Sequence, residues 1–592
     1  MITLQNFLFP DPAICTEREL YFHTEGEIGF SQTAGTLWVG ETGVVRLDTY
    51  FNLFNIGKWH RACQLDGLFA EFHGKGRVEI RVFQAIPEQS WEVLFCEVVT
   101  LEDEQPCIAD LSHYTDRSTR GLIFVEIKAL DRDGATLTGG RFATAETSLP
   151  APLPRLAVSI TTFKREAQVR QTVTRLDAFL KAFDYGDQVQ VQVVDNGQSA
   201  EIQTSDHVTP IDNANYGGAG GFARGLLEAE KSGCTHCLFM DDDASFHMEN
   251  IARTYMFLAL ARDPKAAIAG AMINNTHKWM MWENGAWFDR VCHPIHGGTD
   301  LRNPEAVFRM EFESTGKQQP TFYGGWWFFA FTIAEVKHHP FPFFVRGDDI
   351  SFSLMNDFDI VLLNGVVSFQ DDFIEKENPQ TLYLDVRSHV VHHFVSKELI
   401  RSPLATAVVP IRRIMRSLLR LHYETARAEL LAWQDAMKGP QFFDDNIDMA
   451  ARRATIKGLI KREVWHEINP QTLVEKRRLT LKSHRWRDRM GKYTLNGHLM
   501  PFSARRWDQI VLGIGDRSPV FPAFGAAEIT YLNTSRDKGY TVRQSKREFF
   551  SICWEMTKTL VQFLRDYDQI KAAYRKGYED ITTRDYWEKR LG

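Results

Sequence analysis

The sequence predicts a multidomain α/β protein with an N-terminal β-sandwich, a central α/β domain and a C-terminal helical region. Three observations predict it. Residues 1–148 contain short alternating strands, strands alternate with amphipathic helices from residue 156, and helical spacing dominates after about residue 390. We therefore place the domains at 1–148, 149–395 and 396–592. A length of 592 residues suits this division, because a domain typically holds roughly 150 residues.

Composition and the N-terminal segment narrow the class of protein. Hydrophobic residues form 44% of the chain, which is enough for a sizeable core, and a net charge of −7 says little about partners. The first twenty residues predict no signal peptide, and no apolar run is long enough to predict a membrane span. Cys234 and Cys237 form a lone CxxC among eight scattered cysteines, which favours reduced thiols over a zinc site. These features indicate a cytoplasmic protein.

Three strand-like segments justify the N-terminal β-sandwich. Residues 76–84, GRVEIRVFQ, alternate polar and apolar side chains as a half-buried strand does, and residues 91–101 and 121–130 are similar. Polar or Gly-rich turns separate these segments, and no long helical pattern interrupts them. The Pro-rich stretch 148–155 then predicts a stiff, extended linker.

The central domain is predicted from its alternation of strands and helices. Buried strands are expected at 156–163, 189–197 and 236–243, and amphipathic helices at 166–183 and 220–233. Such βαβ units build a parallel sheet that helices cover on both faces. In sheets of this kind, ligands bind beyond the carboxyl ends of the strands.

Polar side chains follow the ends of these three strands, namely Arg165, Asp195 and the trio Asp241–Asp243. In an extended chain Asp241 and Asp243 point to the same side. A hard cation that also takes phosphate oxygens would offset the repulsion between them. The D-x-D pattern therefore predicts a Mn²⁺ or Mg²⁺ site for a nucleotide diphosphate, and a solvated acidic turn is the alternative.

Further segments add to this predicted crevice. Residues 213–225 place four glycines before a helix, so that the backbone can approach a bulky phosphate ligand, unless the segment is only a flexible loop. In the pair Asp348 and Asp349, one carboxylate is predicted to be a general base and the other a helix N-cap. Trp326 and Trp327 either offer flat faces to sugar rings or belong to an aromatic core.

Basic amphipathic helices are predicted in the C-terminal region. The segment 410–437 has a basic first half, and 451–492 has an excess of Lys and Arg. A cationic surface of this kind would draw the chain to anionic lipid, and solvated helix faces with oligomer contacts are the alternative. Nucleic-acid binding is not expected, because the chain is acidic overall and lacks a binding motif.

Eight motifs follow one another in a distinctive order within residues 1–395. They are TYFNLFNIGKWHR (49–61), TTFKR (161–165), VVDNG (193–197), NYGGAGGFAR (215–224), FMDDDA (239–244), WENG (282–285), YGGWW (323–327) and GDDISFSL (347–354). In order and spacing they resemble the polymerising galactofuranosyltransferases of bacterial arabinogalactan synthesis, members of the family-2 GT-A glycosyltransferases. After residue 395 the resemblance is limited to a basic, helical architecture.

The resemblance implies an inverting, metal-dependent transferase that uses UDP-galactofuranose, with a jelly-roll-like β-sandwich ahead of a GT-A (Rossmann-like) domain. The residues it implies are Arg165, Asp195, Asn215, Gly218 and Asp242 for the nucleotide, Asp241 and Asp243 for Mn²⁺ or Mg²⁺, Asp349 as catalytic base, and Trp326, Trp327, Glu283 and Asp348 for the sugar and acceptor. The implied partners are a UDP-sugar donor, a glycan or lipid-linked acceptor and further copies of the chain, at the inner face of the cytoplasmic membrane.

Three positions depart from the family pattern. Gln370 stands where the family has the histidine that completes its metal site, which leaves the third metal ligand open among Gln370, Asp371 and Asp372. Asp385 replaces a second histidine, and Gly347 replaces a tryptophan. These departures favour another acceptor, such as an O-antigen, a capsule or a different surface glycan. Two alternatives stay open: transfer of galactopyranose, glucose or N-acetylglucosamine, and a carbohydrate-binding protein without activity.

Overall fold

The computed structural model describes the chain apart from residues 113–119, 146–147, 244, 372–376, 474, 477–490, 492, 501–507, 518 and 524. The described part holds an eleven-stranded, an eight-stranded, a four-stranded and a three-stranded sheet, together with helices that gather towards the C-terminus. It is a mixed α/β chain with several regions, as the sequence predicts.

The N-terminal region is built from antiparallel strands and one short helix. The elements are β1 (Ile2–Asn6), β2 (His23–Glu25), β3 (Ile28–Ser31), β4 (Thr36–Val39), β5 (Val44–Arg46), β6 (Phe54–Asn55), α1 (Ile56–Ala62), β7 (Phe69–Ala85), β8 (Glu92–Leu101), β9 (Cys107–Asp110), β10 (Leu122–Ala129) and β11 (Ala135–Thr144). The three strand-like segments of the sequence fall in β7, β8 and β10. The arrangement of these strands as a two-layer sandwich stays a prediction.

Strand β7 organises this region because it pairs along its whole length. Its first half lies against β9 and β11, and its second half lies against β8 and β10. In the second half Val78, Ile80 and Val82 are buried, whereas the residues between them are more exposed. This period of two is the pattern that predicts a strand with one face in the core.

The central region carries the eight-stranded sheet and the helices around it. Its elements are β12 (Leu156–Thr162), α2 (Glu166–Leu180), β13 (Val189–Asp195), β14 (Val208–Asp212), α3 (Gly217–Lys231), β15 (His236–Asp241), α4 (Glu249–Leu260), β16 (Ala266–Asn274), β17 (Met281–Glu283), β18 (Ala286–Phe288), β19 (Cys292–Pro294), α5 (Pro304–Glu313), β20 (Phe322–Tyr323), β21 (Phe329–Thr332), α6 (Asp348–Met355) and β22 (Asp359–Gln370).

The sheet is mixed and not wholly parallel. Its order is β14-β13-β12-β15-β21-β16-β17, with β22 also paired to β16. The pairs among β12, β13, β14 and β15 are parallel, as the βαβ pattern predicts. Strand β21 runs antiparallel to both of its neighbours. The chain reaches it from β17 by way of the small sheet of β18, β19 and β20 and helix α5.

The C-terminal region combines helices with a four-stranded sheet. Its elements are α7 (Pro379–Val395), α8 (Pro403–Leu419), α9 (Tyr423–Ala436), α10 (Gln441–Asp445), α11 (Ala450–Leu459), β23 (His466–Glu467), β24 (Asp508–Gly513), β25 (Ala526–Leu532), β26 (Lys538–Arg543), α12 (Lys546–Ile581) and α13 (Arg584–Leu591). None of the described helices is long and apolar enough to cross a membrane.

The C-terminal region, predicted to be helical, thus also contains a four-stranded sheet. Strands β25 and β26 pair in antiparallel register, and their Tyr531 and Tyr540 side chains stack at 5.5 Å between ring centroids. The helical pattern of 410–437 is also divided, since Leu421 has a left-handed φ of 66° and α8 ends before it. A positive φ takes a β-branched or bulky chain out of helical geometry, so α9 starts afresh.

A buried ion pair joins the N-terminal region to the central one. Lys58 of α1 and Glu311 of α5 meet at 2.5 Å, and both side chains are about 1% exposed. Asn55 caps α1 and donates a hydrogen bond to the carbonyl oxygen of Glu311 at 2.9 Å. Asn55 and Lys58 belong to the motif 49–61, so part of this motif has a structural role. Neither Lys58 nor Glu311 could stay charged in this buried position without its partner.

Candidate active site

A cavity of about 780 Å³ opens at the carboxyl ends of the parallel strands. Thr161 and Thr162 at the end of β12, Asp241 at the end of β15 and Gln370 at the end of β22 contribute to its wall. Eleven predicted site residues line this cavity, namely Arg165, Asn215, Gly218, Asp241, Asp242, Asp243, Glu283, Trp326, Trp327, Asp348 and Asp349, whereas Asp195 does not. Strand-end positions therefore converge as the βαβ pattern predicts.

The aspartate trio is organised around one guanidinium group. Arg165 lies 3.1 Å from Asp242 and in direct contact with Asp243. Thr162 donates its hydroxyl to the other oxygen of Asp242 at 2.7 Å. Burial raises the pKa of Asp242, although Thr162 and Arg165 act in the opposite direction. Asp242 thus belongs to the support of the site, whereas its two neighbours are more exposed.

The oxygen donors near the trio fit a hard cation. Gln370 lies beside Asp241, with its amide nitrogen 3.4 Å from the carboxylate, and its amide oxygen belongs to the donor type that Mg²⁺ and Mn²⁺ accept. Among the described residues no three His, Cys, Asp or Glu side chains form a metal cluster. Two carboxylates and an amide would therefore need water or phosphate oxygens to complete the shell, which is usual for Mg²⁺.

Of the other two candidates for the third metal ligand, Asp371 does not join this set. Asp371 is exposed and accepts a hydrogen bond from Asn275 at 3.1 Å, and it does not line the cavity. Asp372 lies outside the described residues. The role of either as a ligand stays a prediction.

The glycine segment packs tightly against a second loop. Gly217 has a φ of 69°, and a Cβ there would stand 2.0 Å from the carbonyl oxygen of Phe344. A Cβ at Gly218 would stand 3.4 Å from a carboxylate oxygen of Asp348. The side chain of Asn215 accepts a hydrogen bond from the Gly217 amide at 3.1 Å. Gly217 is thus needed to bring the start of α3 against the loop that carries the second acidic pair, whereas a Cβ at Gly218 would make an ordinary contact.

Asp195 lies behind the cavity wall and not in it. Its carboxylate accepts hydrogen bonds from the backbone amides of Gly197, Ser199 and Ala200 at 2.7–2.8 Å. It therefore shapes the loop after β13. The next residue, Asn196, lines the cavity and donates to the carbonyl oxygen of Gly217 at 3.0 Å. The predicted contact of Asp195 with a nucleotide stays a prediction.

The second acidic group is gathered at the start of α6. Gly347 is the N-cap with a φ of 89°, so Asp348 and Asp349 are the first residues of the helix and neither is its cap. Burial raises the pKa of Asp349 to about 6, against the effects of its hydrogen bond from the Ile350 amide and of nearby Arg346. Burial and the Asp349 charge together raise the pKa of Glu283 to about 8.

These shifts separate the carboxyl groups by protonation state near neutral pH. At pH 7 a group with a pKa of about 6 is mostly ionised, and one with a pKa of about 8 is mostly neutral. Asp348 also has a raised pKa, through burial and its charged neighbour. Asp349 is therefore the member of the group that can accept a proton at neutral pH.

The two tryptophans serve both the wall and the core. Trp326 packs among Phe222, Phe239 and Phe352 at centroid distances of 5.0–5.7 Å, and its buried indole N–H has no hydrogen-bond partner. Trp327 donates its indole N–H to the carbonyl oxygen of Gly270 at 2.8 Å. Both tryptophans thus line the cavity and belong to the aromatic core, and their contact with a sugar ring stays a prediction.

Residues from distant segments complete the cavity, and the sequence reasoning did not place them there. They are Arg346, Gln380, Asp385, His389, Arg413 and Arg453. Arg346 lies 3.8 Å from Asp385 and has a left-handed φ of 73°. Arg413 and Arg453 come from the basic stretches assigned to membrane or solvated faces. The departure of Asp385 from the family pattern was the one signal available for this cluster.

The chain is similar to galactofuranosyltransferases, as its motifs predict. It is 23% identical to galactofuranosyltransferase GlfT2 of Mycobacterium tuberculosis over 630 aligned positions, covering 97% of this chain and 95% of the relative. Identity to GlfT2 of Mycolicibacterium smegmatis is also 23%, covering 72% of this chain and 69% of the relative. No protein-family profile matches the chain. The resemblance therefore extends beyond residue 395, into the C-terminal region.

Solved structures show weaker similarity. Mannosyl-3-phosphoglycerate synthase from Rubrobacter xylanophilus aligns with a TM-score of 0.27 and 14% identity, covering 41% of this chain and 74% of that one. A carbohydrate-binding module, TmCBM61, solved with β-1,4-galactotriose, aligns with a TM-score of 0.14 and 8% identity, covering 21% and 88%.

Proposed function

We propose that the protein is an inverting glycosyltransferase that moves galactofuranose from UDP-galactofuranose to a hydroxyl group of a surface glycan or lipid-linked acceptor. The observation that carries the proposal is the convergence of two acidic groups on one cavity. Asp241–Asp243 with Arg165 line this cavity, and Asp348 with Asp349 line it as well. Similarity to galactofuranosyltransferases over nearly the whole chain supports the same class of reaction.

The nucleotide would be held at the first acidic group. Arg165 offers a guanidinium group to phosphate oxygens, and Asn215 and Gly218 line the same cavity. Asp241 and Asp243, with Gln370, would hold Mn²⁺ or Mg²⁺. When bound, such a cation stabilises the negative charge of the departing diphosphate. Asp242 keeps Arg165 in place from behind.

The transfer would take place in one displacement. Asp349 removes the proton from the acceptor hydroxyl, whose oxygen forms a bond to the anomeric carbon as the bond from that carbon to the UDP oxygen breaks. Attack from the face opposite the leaving group inverts the configuration. Glu283, neutral at pH 7, can donate a hydrogen bond to a sugar hydroxyl, and Trp326 and Trp327 limit the pocket on the apolar side.

A donor screen tests this proposal. UDP release would be measured with UDP-galactofuranose, UDP-galactopyranose, UDP-glucose and UDP-N-acetylglucosamine, with Mn²⁺ and with a chelator. We expect release from UDP-galactofuranose, dependent on the cation. Preference for a pyranose donor would overturn the donor assignment, and release from none of the four would favour a binding protein without activity.

Contact with further copies of the chain or with an anionic membrane is part of the proposal. Phe550, Trp554 and Val561 lie on one face of α12 and are 49%, 65% and 64% exposed. An apolar face of this size supports such a contact. Light scattering on the purified chain and flotation with anionic vesicles distinguish the two, since binding that falls with salt indicates lipid.

A further inference from the structure

A second cavity of about 860 Å³ lies beside the candidate active site, and no role has been assigned to it. It is formed by the first turn of α7, one side of α11, the chain that follows α11, and residues near β26. Its volume is within the roughly 300–1,000 Å³ of ligand-binding cavities. All residues that line this cavity lie in the described part of the chain.

The two cavities share part of their lining. Gln380 and Arg453 border both of them. Asn378 fixes Gln380 through a capping box with Thr381 at the start of α7. Arg453 lies over the ring of Phe344 at 5.2 Å and donates to the carbonyl oxygen of Asp448 at 3.1 Å. Gln380 and Arg453 therefore lie at the boundary between the two cavities, so the cavities are neighbours.

The second cavity has an aromatic and aliphatic wall. Trp465 meets Tyr540 edge to face, with ring centroids 4.8 Å apart. Ile456 is buried beneath the wall, while Ile460 and Val464 stand closer to solvent, with Val464 50% exposed. An aromatic ring held in this way presents a fixed surface, and the C–H faces of sugar rings pack on such surfaces.

The charges of the lining are almost balanced. Three cations, Arg453, Lys457 and Arg517, accompany two carboxylates, Glu377 and Glu463. Glu463 accepts hydrogen bonds from Thr425, and Arg517 pairs with Glu377 at 3.7 Å. The surplus of one positive charge is small for a phosphate site, because Arg517 is already paired with Glu377. A lipid tail would leave these charged groups without solvent. The lining thus suits a neutral, hydroxyl-rich ligand.

We propose that this second cavity binds the non-reacting sugar residues of an oligosaccharide acceptor, so that the acceptor runs from Asp349 past Gln380 and Arg453 to Trp465. The inference rests on the proposed glycosyltransferase function. It adds a binding site for a neutral glycan several sugars long, separate from the donor site. It also gives the C-terminal helices a part in acceptor selection.

Ala454→Trp tests the cavity directly. Ala454 is exposed and lines the cavity from α11, so an indole there fills it without disturbing the core. Ala451→Trp is the matched control, because Ala451 is exposed on the same helix and does not line the cavity. Wild type and both variants would be assayed with UDP-galactofuranose and three acceptors: methyl β-galactofuranoside, a β-linked galactofuranose tetrasaccharide, and hexadecyl β-galactofuranoside.

We expect Ala454→Trp to raise the KM for the tetrasaccharide about tenfold and to leave transfer to the methyl glycoside unchanged, while Ala451→Trp matches wild type with all acceptors. Calorimetric binding of the tetrasaccharide without donor should weaken in parallel. Equal use of the tetrasaccharide by both variants would overturn the inference while the transferase function stands. If Ala454→Trp lost transfer to the hexadecyl glycoside and kept transfer to the tetrasaccharide, the inference would also be overturned, because the cavity would then hold a lipid tail. A wild type that releases UDP from none of the four donors of the donor screen would instead remove the proposed function.

Discussion

Asp349→Asn separates the predicted base from every other feature of the site. The substitution preserves size and removes the group that accepts the proton. The carboxylate contacts the backbone amide of Ile350 at 2.8 Å, a bond that the asparagine side-chain oxygen can also accept, so α6 should keep its start. Loss of a general base typically lowers the rate about 10²–10⁴-fold. We expect kcat to fall by that factor and UDP affinity to remain, because Arg165, Asp241 and Asp243 are unchanged.

The pH profile adds a second readout to this experiment. With a pKa of about 6 for Asp349, about nine-tenths of the base is ionised at pH 7 and about one-tenth at pH 5. Wild-type kcat/KM should therefore fall about tenfold between these pH values. The residual activity of the asparagine variant should lack this decline, since the titrating group is absent.

The assay is UDP release with a saturating acceptor, beside calorimetric UDP binding. Asp184→Asn is the control, because Asp184 is exposed, lies outside the cavity and undergoes the same change from carboxylate to amide. Near-normal turnover of Asp349→Asn would refute the assignment of the base. An unaltered acidic decline in the variant would show that another group titrates.

Three further predictions concern Glu283 and Arg165 in the cavity and the buried Lys58–Glu311 ion pair between the N-terminal and central regions. The pKa of Glu283 is about 8 in the folded state and about 4.5 in the unfolded state, so between these pH values the folded state keeps a proton that the unfolded state has lost. The free energy of unfolding of the wild type should therefore fall as the pH rises through this range. In denaturant titrations, Glu283→Gln should gain stability relative to wild type by at most about 1.4 kcal/mol per pH unit. Lys58→Met should cost about 3 kcal/mol in free energy of unfolding, because it leaves Glu311 charged and buried, and adding Glu311→Leu should recover most of the loss; additive losses would contradict this. Arg165→Met should weaken UDP binding about tenfold or more, measured by calorimetry, whereas Arg170→Met, outside the cavity, should bind UDP as wild type does.

Much of the fold and of the candidate site could be predicted from local patterns. Strands β12, β13 and β15 are continuous apolar runs, and their alternation with α2 and α3 dictates parallel pairing with carboxyl ends on one edge. That edge is where Arg165 and Asp241–Asp243 stand, so their convergence followed from topology. The antiparallel β21 was not predictable in this way, because its partners are set by the path of the chain through a separate small sheet.

By itself the sequence determined which side chains reach the strand ends, because side-chain direction and strand pairing follow from periods of two and 3.6 residues. Only the tertiary structure decided what those side chains meet. The Asp195 carboxylate accepts hydrogen bonds from its own loop, and Gly217 packs against the carbonyl oxygen of Phe344. Arg413 and Arg453, from the C-terminal helices, line the cavity. The physical reason is that these contacts join segments more than a hundred residues apart or compete with local hydrogen bonds, and no local pattern encodes the outcome of that competition.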